Sequence, residues 1–244
     1  MTGELAPDEH LTGAPMPDTE LAQMFAEMAK TLDNVPDFDA ALAESVRLAV
    51  EAVGAADMAG VSWCSRRNNM ETPYATDELV RTIDQLQYQL DEGPSLEAFS
   101  DGKPILIPDT SSDERFPRYG PAAHELGVVS VLSCPLSSPR RMIGALNFYA
   151  SERDAFDDYC TQLAVIYANH ASIVLANRSL EADLQTAVDT RGVIGQAMGI
   201  LIERHKVNPQ QAFDLLVKGS QRTHRKLRDL SAYVVETGMD PTAV

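Results

Sequence analysis

Several common signatures are missing from this 244-residue sequence, and each absence removes a class of protein. No apolar run reaches the ~18 residues that a membrane helix needs, so no membrane partner is expected. The N-terminal stretch MTGELAPDEHLTGAP has neither a basic start nor an apolar core, and a signal peptide is therefore not expected. The three cysteines form no CxxC pair, which argues against zinc-ribbon and thioredoxin-like motifs and predicts a reducing, cytoplasmic location.

Catalytic signatures are also missing. The sequence has no GxGxxG, no P-loop and no visible His-Cys or Ser-His-Asp arrangement. No clustered spacing of His, Cys or carboxylates suggests a metal site, so neither a metal nor a cofactor is expected. Cys64 and Cys134 fall in predicted strands, where a buried structural thiol is far commoner than a nucleophile. The sequence therefore predicts a protein that is not an enzyme.

The charge of the chain is uneven. The chain carries 20 Lys and Arg against 36 Asp and Glu, a formal net charge of −16. Residues 189–244 hold eight bases and six acids, whereas residues 1–188 hold 12 bases and 30 acids. An acidic chain with a locally basic end indicates a separate module with an anionic partner, although a solvated mixed surface has the same balance.

Hydrophobic spacing predicts an α+β domain before residue 153. Residues 1–19 contain three prolines and few large apolar groups, which predicts a disordered tail. Asp37 is the predicted N-cap of one helix, and Gly54 is the predicted stop of the same helix. Helices are predicted over 21–32, 37–53 and 77–90, strands over 59–65, 103–109, 128–136 and 142–150, a turn at 92–95 and a hairpin loop at 137–141. This order predicts an antiparallel sheet covered by helices.

From residue 153 the pattern becomes a heptad repeat. No proline or glycine occurs from 151 to 191, so a long helix with a seam for a partner is predicted. Asn177 favours a parallel dimer, because an Asn in the seam is tolerated where it pairs across two strands. The alternative is that the first half of this helix packs on the sheet of its own chain. We expect both arrangements in one helix: the first part packs on the sheet, and the part after Asn177 forms a coiled coil with a second chain. The predicted dimer seam comprises Leu163, Ile166, His170, Ile173, Asn177, Leu180 and Leu184.

Residues 190–238 predict an all-α bundle of three short helices. Apolar residues from Ile194 to Leu201 repeat at helical spacing in the first. Asn208 and Pro209 begin the second, with Gln211 at the capping-box position. The third is predicted to begin near Thr223, to bury Leu227, Leu230 and Val234, and to end at Gly238.

Basic side chains surround the apolar stripe of the third predicted helix. On a helical wheel Arg225 falls nearly opposite the stripe, while Lys226 and Arg228 flank it. Such a face, next to polar side chains at the end of the second helix, suits contacts with phosphates and base edges. A solvated basic face is the alternative.

The C-terminal run RGVIGQAMGILIERHKVNPQQAFDLLVKGSQRTHRKLRDLSAYVVE resembles the ANTAR domain, a three-helix RNA-binding module of transcription antitermination regulators. Many members carry Lys where this chain has Met198 and Asn where it has His224. The resemblance implies binding of paired stem-loops, each with a hexanucleotide loop, and unstacked loop bases suit protein readout. The RNA-binding residues that it implies are Arg191, Ser220, Gln221, Lys226 and Arg228, with His224, Arg225 and Arg204 as further candidates. The alternative role is a capping or surface charge for Arg191 and helix-to-helix capping for Ser220 and Gln221.

The middle of the chain is similar to GAF domains of the kind fused to ANTAR. LDEGPSLEAFSDGKPILIPDTSSDERFP, GVVSVLSCPL and MIGALNFYASERDAFDD carry this resemblance, which covers roughly 37–175. GAF domains bind small molecules in a pocket against the sheet, and aromatic core packing is the alternative role of the candidate lining residues. These candidates are Trp63, Tyr74, Phe99, Phe116 and Tyr119.

Together these features predict a dimeric RNA-binding antitermination regulator whose GAF domain takes an unknown small molecule. RNA polymerase is a candidate further partner. The alternative is a ligand- or redox-sensing GAF protein whose helical tail binds protein or DNA. The predicted divisions are a tail at 1–19, a GAF sensor domain at 20–160, a coiled-coil linker helix at 161–189, an ANTAR domain at 190–238 and a tail at 239–244.

Overall fold

The computed structural model describes residues 18–65, 69–139 and 141–241. The helices are α1 (Asp18–Asp33), α2 (Phe38–Val53), α3 (Glu78–Leu90), α4 (Pro94–Asp101), α5 (Tyr119–Glu125), α6 (Asp158–His205), α7 (Pro209–Thr223) and α8 (Leu227–Thr237). The strands are β1 (Met58–Cys64), β2 (Met70–Ala75), β3 (Ile105–Ile107), β4 (Ser130–Ser137) and β5 (Met142–Ala150). The chain divides between Arg178 and Ser179 into a sheet unit and a helical unit.

The capping residues predicted from sequence lie at the starts and ends of the helices where they are expected. The Asp37 carboxylate accepts the Ala40 N–H at 2.8 Å before α2, and Gly54 follows α2 in the left-handed conformation. Asn208 and Gln211 form a reciprocal capping box at the start of α7, with Pro209 at its first position. Gly238 closes α8 by donating its N–H to Val234 O.

The sheet unit contains an antiparallel sheet in the order β2-β1-β5-β4-β3. Helices α1, α2 and the first part of α6 pack on one face, where Val61, Leu146 and Phe148 are buried. Helices α3, α4 and α5 cover the other face, where Ile83, Tyr119 and Tyr149 are buried. The predicted α+β architecture and the hairpin between β4 and β5 are confirmed.

Several predicted boundaries differ from the structure. Strand β2 was not predicted, and the predicted turn at residues 92–95 includes Pro94, the first residue of α4. Proline fits there because the first helical position needs no N–H partner. The predicted tail 1–19 lies outside the described residues except for Asp18 and Thr19, which begin α1.

Helix α6 is one continuous helix where two separate elements were predicted. Its 48 residues include both the predicted linker and the first helix of the predicted bundle. Residues as far as Leu175 on one side of α6 are buried in the sheet unit, so the division falls inside the predicted linker 161–189. The helical unit buries Ala197, Leu201 and Leu216 against residues of α8.

The end of the chain does not form the predicted tail over 239–241. Pro241 is buried against Gly219 of α7, where an added Cβ would come within 2.8 Å of Pro241 Cβ. The remaining residues of the predicted tail, 242–244, lie outside the described residues.

Candidate nucleic-acid interface and sensory site

Most of the predicted RNA-binding residues lie where α7 connects to α8. Gln221 is in the last turn of α7, Lys226 is the N-cap of α8, and Arg228 follows in its first turn. All three side chains are exposed. Neither Lys226 nor Arg228 forms an ion pair within the described part of the chain, so both cations are available to an external anion.

The predicted helical position of Arg225 is wrong. Helix α8 begins at Leu227 because Lys226 has an extended backbone, with φ −60° and ψ 142°. Arg225 therefore lies in the connection, and the helical wheel does not apply to it. Its guanidinium lies 5.1 Å from the centre of the Tyr233 ring, a cation–π contact within the helical unit.

Two predicted RNA contacts have structural roles in this connection. Ser220 Oγ donates a hydrogen bond to Arg225 O at 2.6 Å, which ties the end of α7 to the connection. His224 ends α7 in the left-handed conformation with φ 53°. Asn tolerates that conformation better than most residues, so the Asn found here in many ANTAR domains has a backbone explanation that needs no RNA contact.

Arg191 and Arg204 lie apart on α6. They are separated by 13 residues, which places them about 20 Å apart along a helix axis. Arg191 is exposed, whereas Arg204 lies 4.0 Å from the carboxylate of Asp240. His205 Nε2 lies 2.7 Å from the same carboxylate oxygen. No local pattern in the sequence points to His205 or Asp240, because their contact joins residues 35 positions apart.

A polar cluster lies inside the sheet unit, between the sheet and α3. The Asp84 carboxylate is fully buried and accepts hydrogen bonds from Tyr149 Oη, Thr72 Oγ1 and Asn147 Nδ2. Asn147 Nδ2 also donates to Ser62 Oγ at 2.8 Å. The signal in the sequence was the polar Ser62 in the apolar strand AGVSWC and Asn147 in GALNFYA.

Burial dominates the electrostatics of this cluster. It raises the pKa of Asp84 to about 6, although the hydrogen bonds from Tyr149 and Thr72 oppose the shift. It also raises the pKa of Tyr149 well above its usual range. Three buried polar atoms on this face accept or donate no hydrogen bond in the described structure: Tyr119 Oη, Ser133 Oγ and Asn147 Oδ1.

An open groove reaches the edge of this cluster along β2 and α3. Its lining includes Glu71, Thr72, Arg81 and Tyr88. Tyr88 Oη lies 2.7 Å from Ser62 Oγ and 2.9 Å from Thr72 Oγ1, so it stands between the groove and Asp84. The groove is therefore lined by one acidic and one basic side chain, Glu71 and Arg81. The buried Asp84 carboxylate lies behind Tyr88.

The five predicted pocket aromatics do not line one pocket. Trp63 and Tyr74 pack with the core on the α2 face, where Trp63 makes an edge contact with Phe38. Phe116 and Tyr119 are buried on the opposite face. Phe99 is half-buried on α4. The sheet separates Trp63 and Tyr74 from Phe116 and Tyr119, and the prediction of a common pocket is therefore wrong.

The cysteines lie in structural surroundings. Cys64 and Cys134 are buried, and burial raises the pKa of the Cys134 thiol to about 12. Burial and a hydrogen bond involving Asp157 raise the pKa of Cys160 to about 11. Among residues 18–65, 69–139 and 141–241, no cluster of three or more His, Cys, Asp or Glu is arranged to hold a metal ion.

The predicted dimer seam is mostly exposed on α6. Ile173, Leu180 and Leu184 are 61%, 51% and 59% exposed, and Ile166 is 39% exposed. His170 and Asn177 are exposed as well. Leu163 is only 4% exposed, so its assignment to the seam is wrong, because its side of the helix packs within the sheet unit. None of the helices in the described residues is long and apolar enough to span a membrane.

Comparisons with known proteins agree with this architecture. The GAF domain family model matches residues 36–176, and the ANTAR domain model matches residues 182–235. The GAF domain of an Acinetobacter phosphoenolpyruvate-protein phosphotransferase is similar, with 17% identity and a TM-score of 0.52, covering 66% of this chain and 95% of that one. Free methionine-R-sulfoxide reductase from Neisseria meningitidis is also similar, with 15% identity and a TM-score of 0.52, covering 69% and 96%. At these identities the likeness concerns the fold alone. The search for similar curated proteins found no match.

The sheet unit and its family match define a GAF domain protein. The chain belongs to the GAF domain family and carries an ANTAR domain in its helical unit. The ANTAR domain implies an RNA-binding antitermination regulator, and the GAF domain is a sensory domain.

Proposed function

We propose that the protein acts as a homodimer that recognises two hexaloop stem-loops in nascent RNA through its ANTAR domains. The observation that carries this proposal is that Lys226 and Arg228, in a segment matched as ANTAR, are exposed and form no ion pair with the described residues. Two linked domains raise affinity for a tandem target through effective concentration. Bound RNA would then favour the antiterminator structure over a terminator hairpin, and RNA polymerase is the expected further partner.

Dimerisation through α6 is part of this proposal. The exposed seam residues Ile166, Ile173, Leu180 and Leu184 recur at intervals of seven and four residues, the spacing of a two-stranded coil. Large apolar side chains exposed at this spacing favour a second helix as their partner. Asn177 is exposed between them, where pairing with the same residue of a second chain fixes a parallel register.

The GAF domain modulates this activity by taking a small molecule in the groove along β2 and α3. Support comes from the Tyr88 hydroxyl, which lines the groove and lies between it and the buried Asp84 carboxylate. No covalent chemistry is proposed. The raised pKa of the Cys134 thiol supports this part, because a thiol that stays protonated is a poor nucleophile.

Binding of a tandem hexaloop RNA, followed by fluorescence anisotropy at several salt concentrations, tests the proposal. Lys226→Ala and Arg228→Ala each weaken binding. Each lost phosphate contact also lowers the slope of log K against log salt concentration by about 0.7–0.9 in magnitude. Lys103→Ala removes the same charge from an exposed position of the sheet unit and serves as the matched control. An RNA with one stem-loop binds more weakly than the tandem RNA. No RNA binding at any salt concentration favours instead a helical unit that binds protein.

A further inference from the structure

The segment that follows α8 is anchored on both sides of Asp240. Gly238 turns the chain with φ 67°, and Pro241 is buried against Gly219 of α7. Tyr233 Oη lies 3.1 Å from Met239 Sδ, which adds a contact on the side of α8. The packing of its neighbours therefore holds the main chain of Asp240 in place, whereas its side chain remains partly exposed.

The Asp240 carboxylate lies against the two basic side chains that end α6. Asp240 Oδ1 is 2.7 Å from His205 Nε2 and 4.0 Å from Arg204 Nη1. All three side chains remain a third or more exposed, at 33% for Asp240, 38% for His205 and 39% for Arg204. The nearby Glu203 carboxylate pairs separately with Lys206 Nζ. Solvent reaches this group, so an external anion can reach it as well.

We infer that Arg204 and His205 form a binding site for an RNA phosphodiester and that Asp240 occupies its anion position in the free protein. This inference rests on the proposed RNA-binding function. Arg recognises carboxylate and phosphate oxygens with the same planar fork, so one anion can replace the other. An exposed ion pair of this kind contributes little to stability, which makes the exchange feasible.

This site explains why Arg204, a predicted RNA contact, lies beside the Asp240 carboxylate of its own chain in the free protein. RNA must displace Asp240 before a phosphate can contact Arg204, so the carboxylate lowers affinity for RNA. No carboxylate among residues 18–65, 69–139 and 141–241 forms an ion pair with Lys226 or Arg228. The helical unit thus has two exposed cations at the α7–α8 connection, Lys226 and Arg228. It also has one anion-binding site that Asp240 of the same chain occupies.

Asp240→Asn in the full chain tests this inference, because Asn keeps the shape of the side chain and removes the charge. We expect a gain of about threefold to tenfold in affinity for the tandem hexaloop RNA. One additional phosphate contact also steepens the salt dependence by about 0.7–0.9. Glu236→Gln makes the same charge change at an exposed site of α8 and is the matched control, expected to change affinity less than twofold.

The double variant Asp240→Asn with Arg204→Gln separates this site from a general charge effect, since it is expected to lose the gain. Asp240→Asn with wild-type affinity and slope overturns the inference while leaving the proposed function intact. A wild-type protein that binds no RNA overturns both. If Asp240→Asn does not fold, the ¹³C resonance of the Asp240 carboxyl in the wild-type protein answers the question. It shifts on RNA addition if the carboxylate is displaced, and an unchanged resonance in the RNA complex overturns the inference.

Discussion

Ser220 Oγ donates a hydrogen bond to the main-chain oxygen of Arg225 at 2.6 Å. The bond spans the left-handed turn at His224 and leaves the half-buried Ser220 hydroxyl engaged inside the protein. A side chain that the family resemblance places among RNA contacts therefore holds the connection that presents Lys226 and Arg228.

Ser220→Ala tests this role. Loss of the hydrogen bond lowers the free energy of unfolding by about 1 kcal/mol, because the Arg225 oxygen loses its partner. Denaturant unfolding measures this change, and Gln221→Ala, at an exposed neighbouring position, leaves stability within about 0.5 kcal/mol of the wild type. If Ser220→Ala leaves stability unchanged but weakens RNA binding, the serine is an RNA contact instead.

Two glycines of the helical unit are expected to respond to alanine with opposite signs. Gly219→Ala places a Cβ 2.8 Å from Pro241 Cβ and 2.9 Å from Leu230 Cδ2, which costs about 1–3 kcal/mol of stability. Gly195→Ala meets no atom within 4 Å, and alanine raises stability by about 0.5–1 kcal/mol because it favours the helix. Thermal unfolding of both variants measures the difference. Equal shifts of the same sign would contradict the close packing of Gly219 against Pro241 and Leu230.

The buried Asp84 carboxyl makes the free energy of unfolding depend on pH. Its folded pKa is raised to about 6, so between about pH 4 and pH 6 the folded protein keeps a proton that the unfolded chain has released. This contribution stabilises the fold at low pH and is lost as pH rises through that window. Asp84→Asn removes this contribution. The free energy of unfolding of the variant minus that of the wild type therefore increases by about 2–3 kcal/mol between pH 4 and pH 6.

Denaturant unfolding at a series of pH values checks the Asp84 prediction. The comparison between the two proteins cancels the contributions of other carboxyl groups, several of which have lowered pKa values, as Glu92 and Asp113 do. A difference that stays constant across the window contradicts the raised pKa of Asp84.

The exposed seam on α6 is expected to hold two chains together. Ile173→Lys with Leu180→Lys places like charges across a two-stranded coil, and the solution mass then falls from dimer to monomer. Sedimentation at tens of micromolar, roughly the range where a modest interface persists, measures the mass. Ala182→Lys with Thr186→Lys adds two charges on the opposite side of the helix and leaves the dimer intact. A monomeric wild-type protein contradicts the seam.

The sequence by itself determined the features that depend on near neighbours. The capping box of Asn208 and Gln211, the left-handed stops at Gly54 and Gly238, and the hairpin between β4 and β5 were all predictable. A cap joins residues three positions apart, and a helical or strand pattern repeats within a few residues, so local order along the chain contains the information. The apolar spacing of the α6 seam belongs to the same class.

Tertiary structure decided which side chains meet across long separations. It buried Leu163 within the sheet unit and left Ile173 exposed, although both fit one heptad pattern. It divided Trp63 from Tyr119 by the sheet, and it brought Tyr149 to Asp84, 65 positions away. It also placed Asp240 on His205. Spacing cannot specify such contacts, because each depends on how separate elements pack and on which groups that packing removes from water.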